Sequence, residues 1–314
     1  MVELYREFGP CLTEKVGEKV QKISINAGFT CPNRDGKVGW GGCTYCNNQT
    51  FNPEYCKTEK TITQQLEEGK QFFGRKYPEM KYLAYFQAYT NTYADFDELR
   101  RKYEEALNVE GVVGIVIGTR PDCMPDELLY YLSELSKRVF VLVEYGIESV
   151  YDKTLLRINR GHNFECTRKA VEKTADAGIL CGGHVILGLP GESKDEMTKE
   201  AKILSSLPLT TLKLHQLQLI KGTSMAEEFQ HKPQDFLRMT PDEYVNLLVD
   251  FIRNLRDDIV LERFVSQSPT SLLAVPGWGL KNYEFVEKVK KRLAELNAYQ
   301  GQASDVHQGS FQSL

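Results

Sequence analysis

Val112-Val113-Gly114-Ile115-Val116-Ile117 leads into Leu128, Leu129, Leu132 and Leu135, and then into Val139-Phe140-Val141-Leu142-Val143-Glu144-Tyr145. The first and last runs are short, apolar and β-branched, as strands covered on both faces are. The leucines between them recur at helical spacing. Strand, helix and strand in succession predict a right-handed crossover between parallel neighbours. The rhythm extends outward in both directions. Strand-like runs fall at 20–25, 81–86, 112–117, 139–145, 180–187 and 211–219, and Phe96, Leu99, Tyr103, Ala106 and Leu107 mark another helix. Ser193 with Glu196, and Thr240 with Pro241 and Glu243, read as helix-starting capping boxes, and Gly178 reads as a helix stop. Six strand units are fewer than the eight of a closed (β/α)8 barrel. The expectation is an α/β protein: a partial (β/α)6 TIM-like barrel over 20–225 after an N-terminal segment 1–19. A C-terminal α+β appendage follows over 226–300, with a helix at 242–255, a strand at 259–264 and a helix at 285–296. The tail 301–314, rich in Gly, Ser and Gln, is expected to fray.

The chain has 314 residues, 41% hydrophobic and 26% charged, the balance of a globular protein long enough to bury a core without crosslinks. Lys and Arg total 39 against 43 Asp and Glu, a formal charge of -4. That average gives no support to a phosphate-binding stripe, although a local basic patch fits within it. The apolar run 112–117 is too short to cross a bilayer, and Met1-Val2-Glu3-Leu4-Tyr5-Arg6 lacks the pattern of a secretory signal. A cytoplasmic location is expected, where eight cysteines read as metal ligands, reactive thiols or small core residues rather than disulfides.

The segment 26–60 has no periodicity, and an irregular stretch of that length inside a compact domain is usually functional or disordered. It holds Cys31-Pro32-Asn33-Arg34-Asp35-Gly36 and Gly39-Trp40-Gly41-Gly42-Cys43-Thr44-Tyr45-Cys46, so that eleven residues separate Cys31 from Cys43 and two separate Cys43 from Cys46. Soft thiolates select zinc or iron–sulfur centres. A structural zinc would want a fourth ligand, for which Cys56 is the nearest candidate. Three thiolates suit a four-iron cluster with one iron open. Spacing alone leaves cluster, zinc and unligated thiols all standing.

Cysteines on the loop after the first strand of such a barrel resemble the cluster loop of radical S-adenosylmethionine (SAM) enzymes. The long first spacer departs from the common Cys-x3-Cys-x2-Cys and is similar to the branch that contains the catalytic subunit of Elongator. The segment 26–46, Tyr85-Phe86-Gln87-Ala88-Tyr89-Thr90-Asn91-Thr92-Tyr93, Gly118-Thr119-Arg120-Pro121-Asp122, Asn159-Arg160-Gly161-His162 and His184-Val185-Ile186-Leu187-Gly188-Leu189-Pro190-Gly191-Glu192 resemble the bacterial YhcC-like family, in order and over nearly the whole chain. The resemblance implies a [4Fe–4S] cluster on Cys31, Cys43 and Cys46. It implies reductive cleavage of SAM to a 5′-deoxyadenosyl radical, hydrogen abstraction from an unidentified substrate, and an external one-electron donor of flavodoxin or ferredoxin type. Kinship with the Elongator branch raises RNA, and tRNA in particular, as a substrate.

The same resemblance assigns SAM contacts. Tyr45 lies against adenine. Gln87 and Thr90 stand where relatives bind the amino group, although the glycines usual there are missing. Glu148 meets the ribose and Arg160 the carboxylate. His184 and Ile186 share one face of a strand with Gly188, and Gly188 and Leu189 begin the segment that packs on adenine. Bland alternatives stand beside these: a surface aromatic for Tyr45, a plain turn at Gln87 and Thr90, a solvated charge for Arg160. Strand alternation places Lys213 and His215 in the lumen. Cys123 follows a strand end and could face the site, whereas Cys11, Cys56, Cys166 and Cys181 have no ligand spacing. The competing reading is a non-catalytic module that holds zinc or a labile cluster and senses redox state.

Overall fold

The computed structural model describes residues 3–50, 52–74, 80–306 and 314. Strands β1 (Val20–Ile25), β2 (Lys81–Phe86), β3 (Val112–Thr119), β4 (Phe140–Glu148), β5 (Leu180–Leu187), β6 (Thr211–Gln216) and β7 (Val260–Arg263) lie side by side in chain order, every pair parallel. The helices are α1 (Phe8–Val16), α2 (Ile62–Gly74), α3 (Phe96–Leu107), α4 (Asp126–Ser136), α5 (Asp152–Arg157), α6 (Phe164–Asp176), α7 (Lys194–Ser205), α8 (Ser224–His231), α9 (Pro241–Asn254) and α10 (Asn282–Glu295). Both capping boxes form, at Ser193–Glu196 and Thr240–Glu243, and Gly178 ends α6 at a φ of +77°.

The sheet is curled into a half-barrel. Lys22 of β1 reaches across the concave side to Glu144 of β4 at 2.7 Å and Glu262 of β7 at 2.6 Å, which a flat sheet of this width would forbid. Helix α1 closes the N-terminal end of the bowl. Its Phe8, Cys11 and Leu12 pack on Leu83, Val116, Leu142 and Val260, all pointing inward. On the convex side Ile23, Ile115, Val143, Val185 and Leu212 join Leu66, Leu99, Leu132, Val171, Leu204, Leu248 and Phe285 of the surrounding helices in one core. Burial of such aliphatic and aromatic side chains, about 1.5–3 kcal/mol each, holds the layers together.

The sheet has one strand more than the sequence reading counts. Strand β7, expected as part of a separate appendage, pairs with β6 and extends the barrel sheet. The sequence marks the strand itself, at 259–264, but two features hide its place in the barrel sheet: α8 and α9 intervene where one helix is the rule, and the strand is only four residues long and ends in Glu262-Arg263. Of the tail, residues 301–306 are bonded onto α9, with the Gly301 and Ala303 amides donating to the Ile252 and Arg253 carbonyls; residues 307–313 lie outside the described residues. Among the described residues no helix is long and apolar enough to cross a membrane.

Candidate active site at the C-terminal ends of the strands

Alternation along the strands sends Lys22, Tyr85, Glu144, His184, Lys213, His215 and Glu262 into the bowl, where apolar neighbours leave little water. Glu144 is the hub. Its carboxylate accepts from Lys22 Nζ at 2.7 Å, Lys213 Nζ at 2.8 Å and His184 Nε2 at 2.8 Å, and Lys213 also donates to Tyr85 Oη at 3.0 Å and pairs with Glu262 at 3.1 Å. Two lysines and two carboxylates balance. Burial pushes the Glu144 carboxyl upward, but Lys213 and Lys22 overcome it and hold the pKa well below the ordinary carboxylate range. Burial, reinforced by Lys213, lowers His184; burial and the Arg263 charge lower His215, whose Nδ1 lies 2.5 Å from Ser266 Oγ. Both imidazoles are therefore neutral. Lys213 and His215 stand where alternation predicts, whereas Glu144 went unremarked. A lone carboxylate inside an apolar strand is the signal that could have found it.

Above this floor lies a cavity of about 200 Å³, lined by Cys31, Cys43 and Cys46 among others. The cysteine loop is moored to the turn between α5 and α6. Asn33 Nδ2 donates to the Asn159 carbonyl at 2.6 Å, Asn159 Nδ2 to the Gly42 carbonyl at 2.9 Å, and the Thr44 amide to the Ile158 carbonyl at 3.0 Å. Asn159 adopts a φ of +53°, a conformation asparagine tolerates better than most residues. Arg160, next in sequence, is buried. Its Nη2 donates to the Gly146 carbonyl at 2.6 Å and stands 3.6 Å from Glu148, and its Nη1 is 3.5 Å from Cys43 Sγ. Glu148 itself has a φ of +66° beside an irregularity in the β4–β5 register, the strained backbone that functional sites tend to carry.

All three cysteines are free, and burial together with the neighbouring Cys43 and Cys31 pushes the Cys46 thiol up to about 12. A cationic centre removes that penalty, because metal binding takes the thiolate form. Among the described residues no three His, Cys, Asp or Glu side chains converge closely enough to hold a single metal ion. Thiolates on three corners of a four-iron cluster stand much farther apart than ligands on one zinc. Cys56, the nearest candidate for a fourth ligand, donates instead to the Ser24 carbonyl at 2.9 Å, and burial pushes its thiol up to about 12. Three buried polar atoms beside the cysteines lack partners: Asn33 Oδ1, Arg120 Nη1 and Arg160 Nε. Orphans of this kind mark where a bound group completes a site.

Tyr45, Gln87, Thr90, Glu148, Arg160, His184 and Ile186 all line the same cavity as the cysteines. Two expected residues do not. Gly188 borders a neighbouring pocket with Leu217 and Met239, and Leu189 is buried with Leu155, Ile158 and Phe236. Cys123 is likewise outside the lining, its thiol 3.6 Å from Asp122. Arg120, which the sequence reading quoted without a role, is 2% exposed, holds Asp122 by two 2.8 Å bonds and reaches the cavity wall.

Residues 28–204 match the family model of the radical SAM superfamily, and residues 209–295 match the Radical_SAM C-terminal domain. The chain belongs to the radical SAM superfamily. It is an enzyme, and the cofactors of the family are a [4Fe–4S] cluster and SAM; the free thiols and orphaned donors of this cavity fit both. Among similar proteins, YtqA of Bacillus subtilis is 38% identical, covering 95% of this chain and 92% of its own. YhcC of Escherichia coli is 35% identical, with 88% of each covered. The tRNA uridine(34) acetyltransferase of Methanocaldococcus infernus is 31% identical over 119 residues, 37% of this chain and 22% of that protein. The solved structure of Methanocaldococcus infernus Elp3 superposes with a TM-score of 0.65 at 18% identity, covering 90% of this chain and 64% of that one, and so shares the radical SAM barrel fold.

Proposed function

We propose that this radical SAM enzyme carries its cluster on Cys31, Cys43 and Cys46, cleaves SAM reductively, and abstracts hydrogen from a nucleotide of an RNA, with a tRNA uridine as the leading substrate. The observation that carries the reading is the set of three thiols on one cavity with Arg160 against Cys43, while Cys56, the next cysteine, is bonded to the Ser24 carbonyl. When bound, the cluster supplies the electron that breaks the S–C5′ bond of SAM and frees the 5′-deoxyadenosyl radical.

The chain's own residues bind and orient. Tyr45 flanks the adenine, Glu148 accepts from ribose hydroxyls, Arg160 offers its guanidinium to the methionyl carboxylate, and Gln87 and Thr90 face the amino group. The neutral His184 and His215, with Ile186, wall the space beneath and keep out water that would quench a radical. Support for RNA comes from the kinship with a tRNA uridine(34) acetyltransferase. The electron arrives from an external flavodoxin- or ferredoxin-type donor, and the enzyme works in the cytoplasm.

Anaerobically reconstituted protein with dithionite and SAM should be brown and release 5′-deoxyadenosine; colourless, zinc-loaded protein that leaves SAM intact would overturn the reading. Nucleoside analysis of tRNA from the reaction should show an altered uridine, and unaltered nucleosides beside brisk SAM cleavage would remove RNA alone.

Gly146 gives a finer test of the SAM site. A Cβ there would lie 2.6 Å from both Arg160 Nη2 and Glu148 Oε1. Gly146→Ala is therefore expected to displace both side chains and weaken SAM about tenfold in calorimetric titration, the order of one lost charged hydrogen bond. Iron content should not change, and wild-type SAM affinity would dissociate these two residues from the cofactor.

A further inference from the structure

The cavity mouth carries a surface that the radical reaction does not use. In the cysteine loop, Asp35 and Trp40 form an isolated antiparallel bridge around Gly36, whose φ is +93°. A Cβ on Gly36 would meet the Trp40 ring at 2.3 Å, so the indole is held flat against this turn. Yet it is 76% exposed. Tyr89, in the lining of the cavity, is 37% exposed at a φ of +62°, a backbone conformation that costs a tyrosine energy. Two cations attend these rings: the Arg34 guanidinium lies 5.7 Å from the Tyr89 centroid, and Lys37 Nζ lies 5.1 Å from that of Tyr93. Asp35, the acid in this turn, is engaged by the Tyr93 hydroxyl. Arg34 and Tyr89 also line the cavity, so the patch is continuous with the site.

Exposed aromatics interleaved with a few cations are poor partners for a duplex, whose bases are already stacked and paired and whose grip calls for many contacts to phosphates and 2′-hydroxyls. They are good partners for unpaired nucleotides, whose bases stack on aromatic faces while phosphates meet Arg and Lys. A protein of net charge -4 can hold such a strand through this local patch alone.

We propose that the Trp40–Tyr89 rim docks a single-stranded RNA loop. Bases stack on the indole and on Tyr89, phosphates lie on Arg34 and Lys37, and the strand is thereby aimed at the cavity. This rests on the reading of the substrate as RNA and adds to it where, and in which form, the RNA is grasped.

The test uses full-length, cluster-loaded protein and two fluorescent probes, a tRNA anticodon stem-loop and a blunt RNA duplex of equal length, read by anisotropy. The stem-loop should bind more tightly than the duplex. Trp40→Ala should weaken the stem-loop about tenfold, the order of one lost base stack. Lys37→Gln, a change at an exposed side chain, should weaken it less and lower the salt slope by about one ion. Iron content and SAM affinity should remain those of the wild type. Stem-loop binding should also quench tryptophan fluorescence in the wild type and not in Trp40→Ala, which contains Trp278 alone. If wild type and both variants bind the stem-loop equally, the rim is not the docking surface although the RNA reading stands. If the wild type binds neither probe, or prefers the duplex, the rim proposal falls, and in the first case the RNA reading falls with it.

Discussion

Cys43→Ala protein is expected to emerge from anaerobic reconstitution almost colourless, with iron near background against about four per chain in the wild type, and to leave SAM uncleaved. Cys43 is the most deeply placed of the three thiols. It is buried, with Arg160 Nη1 at 3.5 Å and Asn33 Nδ2 at 3.7 Å from its sulfur, so no water-borne ligand can replace it without breaking those contacts. Two thiolates that remain cannot anchor four irons. Cys56→Ala is the control. Its sulfur is spent on the Ser24 carbonyl, and its loss should cost stability while iron content is retained. Iron and sulfide analysis of the two variants side by side decides the ligand set: full loading of Cys43→Ala, or loss of iron from Cys56→Ala, would reassign it.

The second large effect is on the fold. Glu144→Leu should destabilise the protein by about 3–5 kcal/mol, because it leaves two buried ammonium groups sharing Glu262 and one buried charge uncompensated. Lys213 is 2% exposed and Lys22 10% exposed, so solvent offers little relief. Urea denaturation of apo-protein measures it, and a loss below about 1 kcal/mol, the worth of a surface pair, would show that the network is not the keystone of the bowl. The double variant Glu144→Leu/Lys213→Met should recover much of the loss, since apolar replacement of a buried pair is often neutral.

The pH dependence has a definite sign. His184 and His215 are lowered by burial, so the unfolded chain binds protons more readily than the native one below about pH 6.5. Stability conferred by their neutral forms is complete above that value and declines as the solution is acidified. Glu144, lowered by Lys213 and Lys22 against its burial, adds stability that is present above the ordinary carboxyl pKa and is lost as pH falls through its native value.

Much of this was legible in the residues. Apolar β-branched runs with intervening helical periods mark β1 to β6, because the face each strand turns to the helices must be apolar, while Lys22, Glu144, His184 and Lys213 on the inward face interrupt the runs. Strand β7 was legible as a strand, at 259–264, but not as a member of the barrel sheet, because its inward Glu262 answers Lys22 and Lys213, which are remote in sequence. The cysteine triad and Arg160 were legible as a pattern, and the fold brings them to one cavity. Pairing partners were not. That Arg160 would lie on Cys43, or that Asn33 would moor the loop through Asn159, depends on a turn more than a hundred residues downstream. Gly188 and Leu189 follow a strand whose alternation was read correctly; Gly188, at a φ of +95°, borders the neighbouring pocket, and Leu189 packs among Leu155, Ile158 and Phe236.

The most direct test of the account is the electron paramagnetic resonance spectrum of the dithionite-reduced, cluster-loaded protein before and after SAM is added. Three thiolates with one iron open to a ligand predict a reduced-cluster signal whose g values and relaxation change on adding SAM, and the change is absent with S-adenosylmethionine lacking its carboxylate. A spectrum indifferent to SAM would mean that the cluster is closed, and the proposed site would be contradicted.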